Sequence, residues 1–489
     1  MKRLLHVAAA FSLLLCCGQG RVSLHAQTAL EQLQAAPRPH FRAGHTLLPL
    51  SFWGPEFPFE VRMELARHWG YALQFGRLRP ELVKQLEDPE SVVSKVCAEA
   101  AADPKGLPLH VITAPAFSVR EYLDDLPPDT WCRDAEGKLI DDQKVWSPEA
   151  PDETFRRIAD YEVQMLKKVQ EKAPIAILTN GGEYALGVVG HNLKYWERDP
   201  KVLKAKGDRD WYGYISERKA HQELIISRRL RELCPQRQLY IYYYTDGCPH
   251  RSRYDGWWEW AWDYKYMRPI SDLPNSSLYY GHYNTGWGGQ YDMLTQALNS
   301  VAQQISVGDA LSYNWTCAGW PGTGRWVDNP ISDQAHYLGY LKCYYTAGMI
   351  GGVAGYFEYD DAANWIWQLM ALGQVHALFS HLEEFLRQGD LLPGPNMHRW
   401  SKDLPAYELP TGDEGVRVLA RRHQKRSEWL LTAWAATGED RQVTVEVPGL
   451  GQVTLEARAC GSVYRAVVKQ GKPALRLVDK DGMVPTAGL

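Results

Sequence analysis

The sequence has little net charge for its length, which argues against a polyanionic partner. Its 489 residues include 54 lysines and arginines against 58 aspartates and glutamates, so the formal net charge is −4. The basic residues form no long run, whereas proteins that bind a phosphate backbone carry a basic face. We therefore do not expect nucleic acid to be a partner.

Long hydrophobic runs are absent after the N-terminus, so no transmembrane segment is expected. The sequence opens with MKRLLHVAAAFSLLLCCGQG, in which two basic residues precede an apolar run at 4–15. That run is too short to span a bilayer and is typical of a signal peptide. We predict export to the periplasm, the outer surface or the medium, with residues 1–26 as the signal peptide. A lipid anchor on Cys16 or Cys17 is the alternative.

Cysteine spacing gives no sign of a metal site or a redox motif. The chain has nine cysteines, and two of them fall in the signal peptide, which leaves seven. Their spacing matches neither a zinc-binding nor a thioredoxin-like pattern, and an odd number cannot all pair within one chain. Cysteines therefore do not define the function.

Aromatic residues are abundant, but phenylalanine is not among the common ones. The chain has 19 Trp and 27 Tyr against 11 Phe. Trp and Tyr rings combine an apolar face with a polar group, which suits partly wet surfaces that stack on sugar rings. The alternative is that a large exported protein buries many aromatic rings in its core in any case.

Strand-like and helix-like segments alternate through most of the chain. Short apolar strands separated by amphipathic helices indicate a parallel sheet that is buried on both faces. No glycine-rich phosphate loop follows the first strand, which argues against a doubly wound nucleotide-binding sheet. The eight predicted strands cover residues 46–53, 71–77, 107–115, 175–184, 238–247, 277–284, 310–322 and 351–361.

Eight strand-then-helix units predict an α/β fold, a TIM (β/α)8 barrel over residues 27–393. Beyond this point the segments become short, partly alternating and separated by turn residues. This pattern is typical of antiparallel sheets, so residues 394–489 are predicted to form a small antiparallel β-sandwich domain.

Two glutamates follow predicted strands, where barrel enzymes place their chemistry. Glu183 follows the fourth strand in TNGGEY, and Glu358 follows the eighth in GYFEYDD. Hydrolysis of a glycosidic bond needs one carboxylic acid and a second carboxylate. Neighbouring aromatic residues would raise the pKa of one carboxyl and keep it protonated. For either glutamate alone, the alternative is a solvated residue at the start of the next helix.

Polar and aromatic residues near the other strand ends are candidates for holding the substrate. Asp246 is also explained as a turn residue before Gly247. The predicted substrate-binding residues are Trp53, Asn180, Tyr184, Asp246, His282, Asn284, Trp315, Tyr356 and Trp365.

The loops after the fifth and seventh strands add many rings, together with arginines that either read anionic sugar groups or solvate the loops. No cofactor is expected because two carboxylates suffice. No metal is expected because no His/Glu pair at the strand ends has metal-ligand spacing.

The sequence resembles retaining (β/α)8 glycoside hydrolases of the large β-galactosidase, agarase and cellulase superfamily. The resemblance depends on TNGGEY on the fourth strand, the opening PLSFWGPEFPFEVRMELARHWGYALQFG, a late GYFEY and the trailing sandwich. The resemblance implies that Glu183 is the acid/base. In that superfamily Asn and Glu are adjacent, whereas two glycines separate Asn180 from Glu183 here. The family's nucleophile follows the seventh strand, whereas Glu358 follows the eighth, so Glu259 in WWEWAW is the reserve carboxylate.

These observations predict an exported glycoside hydrolase that cleaves a polysaccharide or oligosaccharide, by a retaining mechanism, with Glu183 as acid/base and Glu358 as nucleophile. The loop aromatics and arginines, together with the family resemblance, favour a β-linked galactan, sulfated or not. The alternatives are a non-catalytic carbohydrate-binding barrel and a polysaccharide lyase, in which His282 and Tyr283 would abstract the proton. The sequence does not predict the oligomeric state.

Overall fold

The computed structural model describes most of the chain. The described residues are 29–53, 56–113, 115, 126–180, 192–235, 237, 239–242, 263–279, 292–317, 334–355, 363–398, 401–437 and 439–479.

Eight short parallel strands form the first part of the fold, each within a predicted segment. Wherever their burial is described, nearly every residue is buried, as expected for strands covered on both faces. The strands are β1 (Ser51–Trp53), β2 (Leu73–Arg77), β3 (Leu109–Thr113), β4 (Ile175–Asn180), β5 (Leu239–Tyr242), β6 (Ser277–Tyr279), β7 (Trp315–Cys317) and β8 (Val353–Gly355).

The parallel strands form two four-stranded sheets, ordered β2-β3-β4-β5 and β1-β8-β7-β6. A parallel bridge between Leu50 and Tyr71 joins the sheets where β1 and β2 meet. Within the described residues no ladder joins β5 to β6, although the Asp272 backbone N–H donates to the Tyr240 carbonyl across that gap at 2.9 Å. The predicted parallel α/β organisation is confirmed, and closure into a barrel stays a prediction.

Side chains from both sheets meet in one apolar cluster. We call it the inter-sheet core, and the face of each sheet that contributes to it is the inner face. Buried Ile177 and Ile241 come from one sheet and Tyr313 and Val353 from the region of the other. The opposite face of each sheet packs against the helices, as Leu73, Leu178 and Tyr240 do.

The helices follow the amphipathic segments of the sequence. α4 (Asp152–Gln170) shows why: two acidic residues occupy its first turn, and Lys167 and Lys168 lie in its last turn, so the charges at both ends favour the helix dipole. Its buried stripe includes Phe155 and Ile158.

The helices that precede β6 in the chain are α1 (Phe59–His68), α2 (Pro80–Lys84), α3 (Val92–Ala102), α4 (Asp152–Gln170), α5 (Leu193–Trp196), α6 (Pro200–Lys206), α7 (Trp211–Leu233) and α8 (Tyr264–Met267). The later helices are α9 (Asp292–Ser306), α10 (Gln334–Thr346), α11 (Ala363–Ser380) and α12 (Glu383–Gln388). Residues 29–35 are also helical.

The C-terminal region is antiparallel, as predicted. A five-stranded sheet has the order β15-β14-β11-β10-β9, and β12 pairs with β13 as a separate ribbon. The predicted boundary between residues 393 and 394 falls between β9 and β10, which pair with each other. The strands are β9 (Gly389–Leu391), β10 (Val416–His423), β11 (Glu428–Ala435), β12 (Arg441–Val447), β13 (Gly451–Ala457), β14 (Ser462–Lys469) and β15 (Lys472–Leu477).

Helix α10 attaches the parallel sheets to the C-terminal sheet. Gly339 makes room for the Trp434 indole, because a Cβ at residue 339 would lie 2.2 Å from Trp434 Cδ1. Lys342 Nζ donates to Asp479 Oδ2 at 2.7 Å and to the Gly461 carbonyl at 2.9 Å, and both charged side chains are fully buried. We call Lys342 and Asp479 the interdomain ion pair.

Candidate active site at the strand ends

The carboxyl ends of β1–β8 form one edge of the molecule, which we call the strand-end edge. The strands that lead to the two predicted catalytic residues are described as far as this edge. β4 ends at Asn180, with two glycines before Glu183, and β8 ends at Gly355, with two residues before Glu358. Since β8 is the eighth parallel strand of the described chain, the count that placed Glu358 after an eighth strand is confirmed.

Most of the predicted site residues lie outside the described residues, and their roles stay predictions. Trp365 belongs to α11, but its side chain is not among those described. The residues outside the described ranges are Glu183, Glu358, Tyr184, Asp246, His282, Asn284, Tyr356 and the reserve carboxylate Glu259.

Two tryptophans meet at the end of β8. Trp53 is the last residue of β1 and pairs with Gly355, the last residue of β8. The Trp53 and Trp315 rings lie 5.4 Å apart between centroids, with their planes at 45°. A Cβ on residue 355 would lie 1.5 Å from Trp315 Nε1, so only glycine leaves room for this indole. Trp53 therefore lines the strand end that precedes Glu358, and the buried Trp315 indole supports it from the inter-sheet core.

The position of Trp315 within its strand differs from the prediction. We expected a strand over 310–322, with Trp315 near its end, but β7 begins at Trp315 and its described part ends at Cys317. The preceding residues bond across strands instead: the Ser276 N–H donates to Asn314 Oδ1 at 2.8 Å. Trp315 still reaches the strand-end edge because its indole extends toward Gly355.

A β-bulge in β2 changes which way Arg77 faces. Gln74 pairs with His110, but Gly76 pairs with Val111 and Arg77 with Ile112, so one residue of β2 is extra. Because side chains alternate along a strand, this insertion puts Arg77 on the same face as Gln74 instead of the opposite one. Gly76 takes the positive φ of +123° that the bulge requires.

The buried Arg62 side chain stabilises the bulge through hydrogen bonds to its backbone. Its Nη1 donates to the carbonyl oxygens of Gln74 at 2.7 Å and Phe75 at 2.9 Å. These bonds satisfy backbone acceptors at the point where the ladder is interrupted, as buried carbonyl groups require. The bulge and the direction of Arg77 are therefore built into the packing of α1 on β2.

A cavity of about 270 Å³ opens where β1 and β2 end. Arg79 Nη2 donates to Glu56 Oε1 at 2.6 Å on its wall. Gln74 is held by a bond from its Nε2 to the Phe52 carbonyl at 2.7 Å. The lining residues are Trp53, Glu56, Gln74, Gly76, Arg77, Arg79 and Ile112.

Sequence reasoning placed Trp53 near a strand end but missed the cavity, Glu56 and Arg79. The glycine in QFGR was the available signal, because an isolated glycine in a strand indicates a bulge.

A neutral histidine lies on the inner face beside the end of β4. His110 Nε2 and Thr179 Oγ1 are 2.8 Å apart, and both residues are fully buried. Burial lowers the pKa of His110 to about 3, so the imidazole is uncharged near neutral pH. Sequence reasoning did not single out His110, because nothing local distinguishes it from any histidine in a strand.

Asn180 faces the helices and not the inter-sheet core. Its Nδ2 donates to the Tyr240 hydroxyl at 3.2 Å, and Tyr240 packs in the core between the first sheet and the helices. Asn180 is almost fully buried. The predicted contact between Asn180 and a substrate stays a prediction, and the bond to Tyr240 shows that this side chain supports the strand end.

A buried ionisable pair lies behind β5. Lys219 and Glu223 are one turn apart on α7, and burial raises the pKa of Glu223 and lowers the pKa of Lys219. A hydrogen bond with Tyr242 and the charge of Lys219 oppose the shift at Glu223. Because Tyr242 is on the helix-facing side of β5, Glu223 belongs to the helix packing and not to the strand-end edge.

The described residues contain neither a clustered metal site nor a membrane-spanning helix. No group of three or more His, Cys, Asp or Glu side chains among them is arranged to hold a metal ion. Likewise, no helix in this part of the chain is long and apolar enough to cross a bilayer.

No protein-family model matches this chain. No curated protein matches it in sequence either.

Several solved structures align with this chain over most of its length. A glycoside hydrolase family 27 β-L-arabinopyranosidase from Geobacillus stearothermophilus, in complex with arabinose, is 8% identical, with a TM-score of 0.45 over 90% of this chain and 99% of that chain. A family 36 α-galactosidase from the same organism, in complex with raffinose, is 12% identical, with a TM-score of 0.38 over 92% and 58%. A family 30 xylanase from Clostridium acetobutylicum is 11% identical, with a TM-score of 0.38 over 89% and 98%. At such identities and TM-scores, these similarities assign neither a family nor a substrate.

Proposed function

We propose that the chain is an exported glycoside hydrolase, with a (β/α)8 barrel over residues 27–393 and Glu183 and Glu358 as its catalytic pair. Its substrate is a polysaccharide or oligosaccharide, and a β-linked galactan is the preferred candidate. The C-terminal domain over 394–489 has a structural role, since the interdomain ion pair attaches it to α10.

The observation that carries the proposal is the partly exposed Trp53 indole at the end of β8. Its ring packs against Trp315 beside Gly355, and Trp315, which is 3% exposed, supports Trp53 from the inter-sheet core. Indole faces stack on the apolar faces of pyranose rings, while polar groups read the hydroxyls. A sugar held on this wall would lie next to the segment that contains Glu358.

The two glutamates have separate roles in the proposed reaction. Glu183, protonated, gives its proton to the leaving glycosidic oxygen while the Glu358 carboxylate attacks the anomeric carbon. The resulting glycosyl ester is then hydrolysed by a water from which Glu183 removes a proton. The aromatic surroundings favour the neutral form of an acid and so raise its pKa.

The test is the release of reducing ends from a panel of plant and algal polysaccharides. The wild-type chain is compared with Glu183→Gln, Glu358→Gln and a control, Glu232→Gln, whose carboxylate is 67% exposed on α7. We expect both site variants to lose several orders of magnitude in rate while the control keeps full activity.

Other outcomes would contradict the proposal in different ways. Activity that survives in Glu358→Gln removes Glu358 from the pair and directs the same test to Glu259. A product that absorbs in the ultraviolet, as an unsaturated sugar does, identifies a lyase. Binding without turnover on every polysaccharide identifies a carbohydrate-binding protein.

A further inference from the structure

The cavity between the ends of β1 and β2 has a charge character that the proposed reaction does not use. Its lining includes two guanidinium groups, Arg77 and Arg79, and one carboxylate, Glu56. The formal charge of these groups is therefore +1. Arg79 and Glu56 are 40% and 44% exposed, so solvent and ligands can reach them.

Both arginines are directed toward this cavity by local backbone structure. The bulge at Gly76 puts Arg77 on the inner face, opposite Ile112, and the carbonyls of the bulge are held by buried Arg62. Arg79 is the residue that precedes α2, and its bond to Glu56 fixes one of its Nη atoms. The bulge thus sets the face from which the Arg77 side chain extends, and the bond to Glu56 holds the Arg79 guanidinium on the cavity wall.

The composition of the walls indicates the class of ligand. A guanidinium presents a planar fork of donors that matches the oxygens of a carboxylate or a sulfate. The Trp53 indole lines the same cavity and offers a face on which a sugar ring can stack. An indole beside two arginines therefore fits a sugar that carries an anionic group better than a neutral sugar.

We propose that this cavity is a subsite for a negatively charged sugar unit, in which Arg77 and Arg79 bind a carboxylate or a sulfate ester and Trp53 stacks on the ring. The inference rests on the proposed function, because it makes the anionic unit part of the substrate. It extends that function by naming the residues that select a charged glycan over a neutral one.

The experiment measures binding without turnover. In a Glu183→Gln background, isothermal titration calorimetry compares three probes: a neutral agarose tetrasaccharide, a sulfated carrageenan tetrasaccharide and tri-galacturonic acid. The second and third probes distinguish a sulfate from a carboxylate as the preferred anion. Arg77→Gln is expected to lower affinity for the preferred charged probe about tenfold and for the neutral probe less than twofold.

Three further variants are each expected to change the affinity in a different way. Arg77→Lys keeps the charge but loses the fork, so its affinity should lie between those of wild type and Arg77→Gln. Glu56→Gln removes the competing carboxylate and should raise affinity for the charged probe. Arg198→Gln is the matched control, because Arg198 is 52% exposed and bonds to Asp141 away from this cavity; it should change nothing.

The outcomes separate this inference from the proposed function. Equal losses on neutral and charged probes, unchanged affinity in Arg77→Gln, or no binding of either charged probe overturns the subsite. Charge-selective binding in a chain that hydrolyses nothing supports the subsite and overturns the hydrolase. If Arg77→Gln fails to fold in a thermal melt, Arg79→Gln replaces it, because the partly exposed Arg79 side chain is outside the inter-sheet core.

Discussion

Two sets of charged side chains in this molecule differ in how far they are exposed to solvent. At the contact between α10 and the C-terminal sheet, Lys342 and Asp479 are fully buried and bonded to each other. Arg458 and the Val463 N–H also donate to Asp479 Oδ1, at 3.2 and 2.9 Å. At the strand-end edge, by contrast, partly exposed charges line an open cavity.

This difference indicates what each set of charges does. A buried charge has lost its hydration, so it is tolerated only when the chain supplies partners for it. The interdomain ion pair meets that condition and holds two parts of the chain together. Charges that keep part of their hydration beside a cavity contribute little to folding and can bind a ligand. Stability and binding should therefore respond separately to mutation.

The largest effect is expected from Asp479→Ala. This change leaves the Lys342 ammonium buried without its carboxylate, which should cost about 3–5 kcal/mol in the free energy of unfolding. Urea denaturation measures this loss, and ligand binding at low temperature should remain. Asp160→Ala, which removes an ion pair that is about half exposed, is the control and should cost under ~1 kcal/mol. A similar cost for both variants would remove the contrast between the two regions.

Gly355→Ala should affect both stability and binding. The new methyl group would overlap the Trp315 indole, and overpacking of this kind costs roughly 1–3 kcal/mol. Adding Trp315→Phe should recover much of the stability, because the smaller ring leaves space for the methyl group. A double-mutant cycle in urea measures this coupling. Additive costs would show that the two residues do not constrain each other.

Buried histidines predict how stability depends on pH. Burial lowers the pKa of His110 to about 3 from the ordinary value of 6.5, so the folded state stays neutral while the unfolded state takes up a proton below pH 6.5. Stability should therefore be complete above pH 6.5 and fall as the pH decreases toward 3. From pH 6.5 to 5 this one group should cost about 2 kcal/mol.

His110→Gln tests this dependence, because it removes the titrating group from both states. The free energy of unfolding, measured at a series of pH values, should then change less steeply between pH 6.5 and 5. An unchanged slope in the variant would assign the acid sensitivity to other groups. His376, which burial also shifts to a pKa of about 3, is the next group to replace.

The smallest effect is expected from Trp53→Ala. Losing one stacking face should lower kcat/KM or ligand affinity about tenfold without a large change in stability. Trp53→Phe should keep part of the activity. Trp131→Ala is the matched control, since the Trp131 ring packs at 55° against Trp146 in a separate part of the chain and should not affect binding. Equal losses from both tryptophans would contradict a specific role for Trp53.

Much of the fold could be predicted because its elements are encoded locally. All eight predicted parallel segments contain a strand, and the short alternating segments predicted after residue 393 contain β10–β15. β9 was not predicted; it follows α12 directly, and its central residue is the exposed Asp390. Of the candidate site, Trp53 and Asn180 were correctly placed at strand ends, whereas the direction of the Asn180 side chain toward Tyr240 was not foreseen.

By itself, the sequence determined the order of strands and helices and the spacing of Glu183 and Glu358 after strands four and eight, because periodicity and turn residues act over a few positions. Only the tertiary structure decided that Trp315 would fill the space above Gly355, that a bulge would turn Arg77 inward, and that Lys342 would meet Asp479. These contacts join residues that are far apart in the chain or depend on strand register. Local sequence preferences determine neither the contacts between distant residues nor the strand register, since both arise when the sheets and helices pack together.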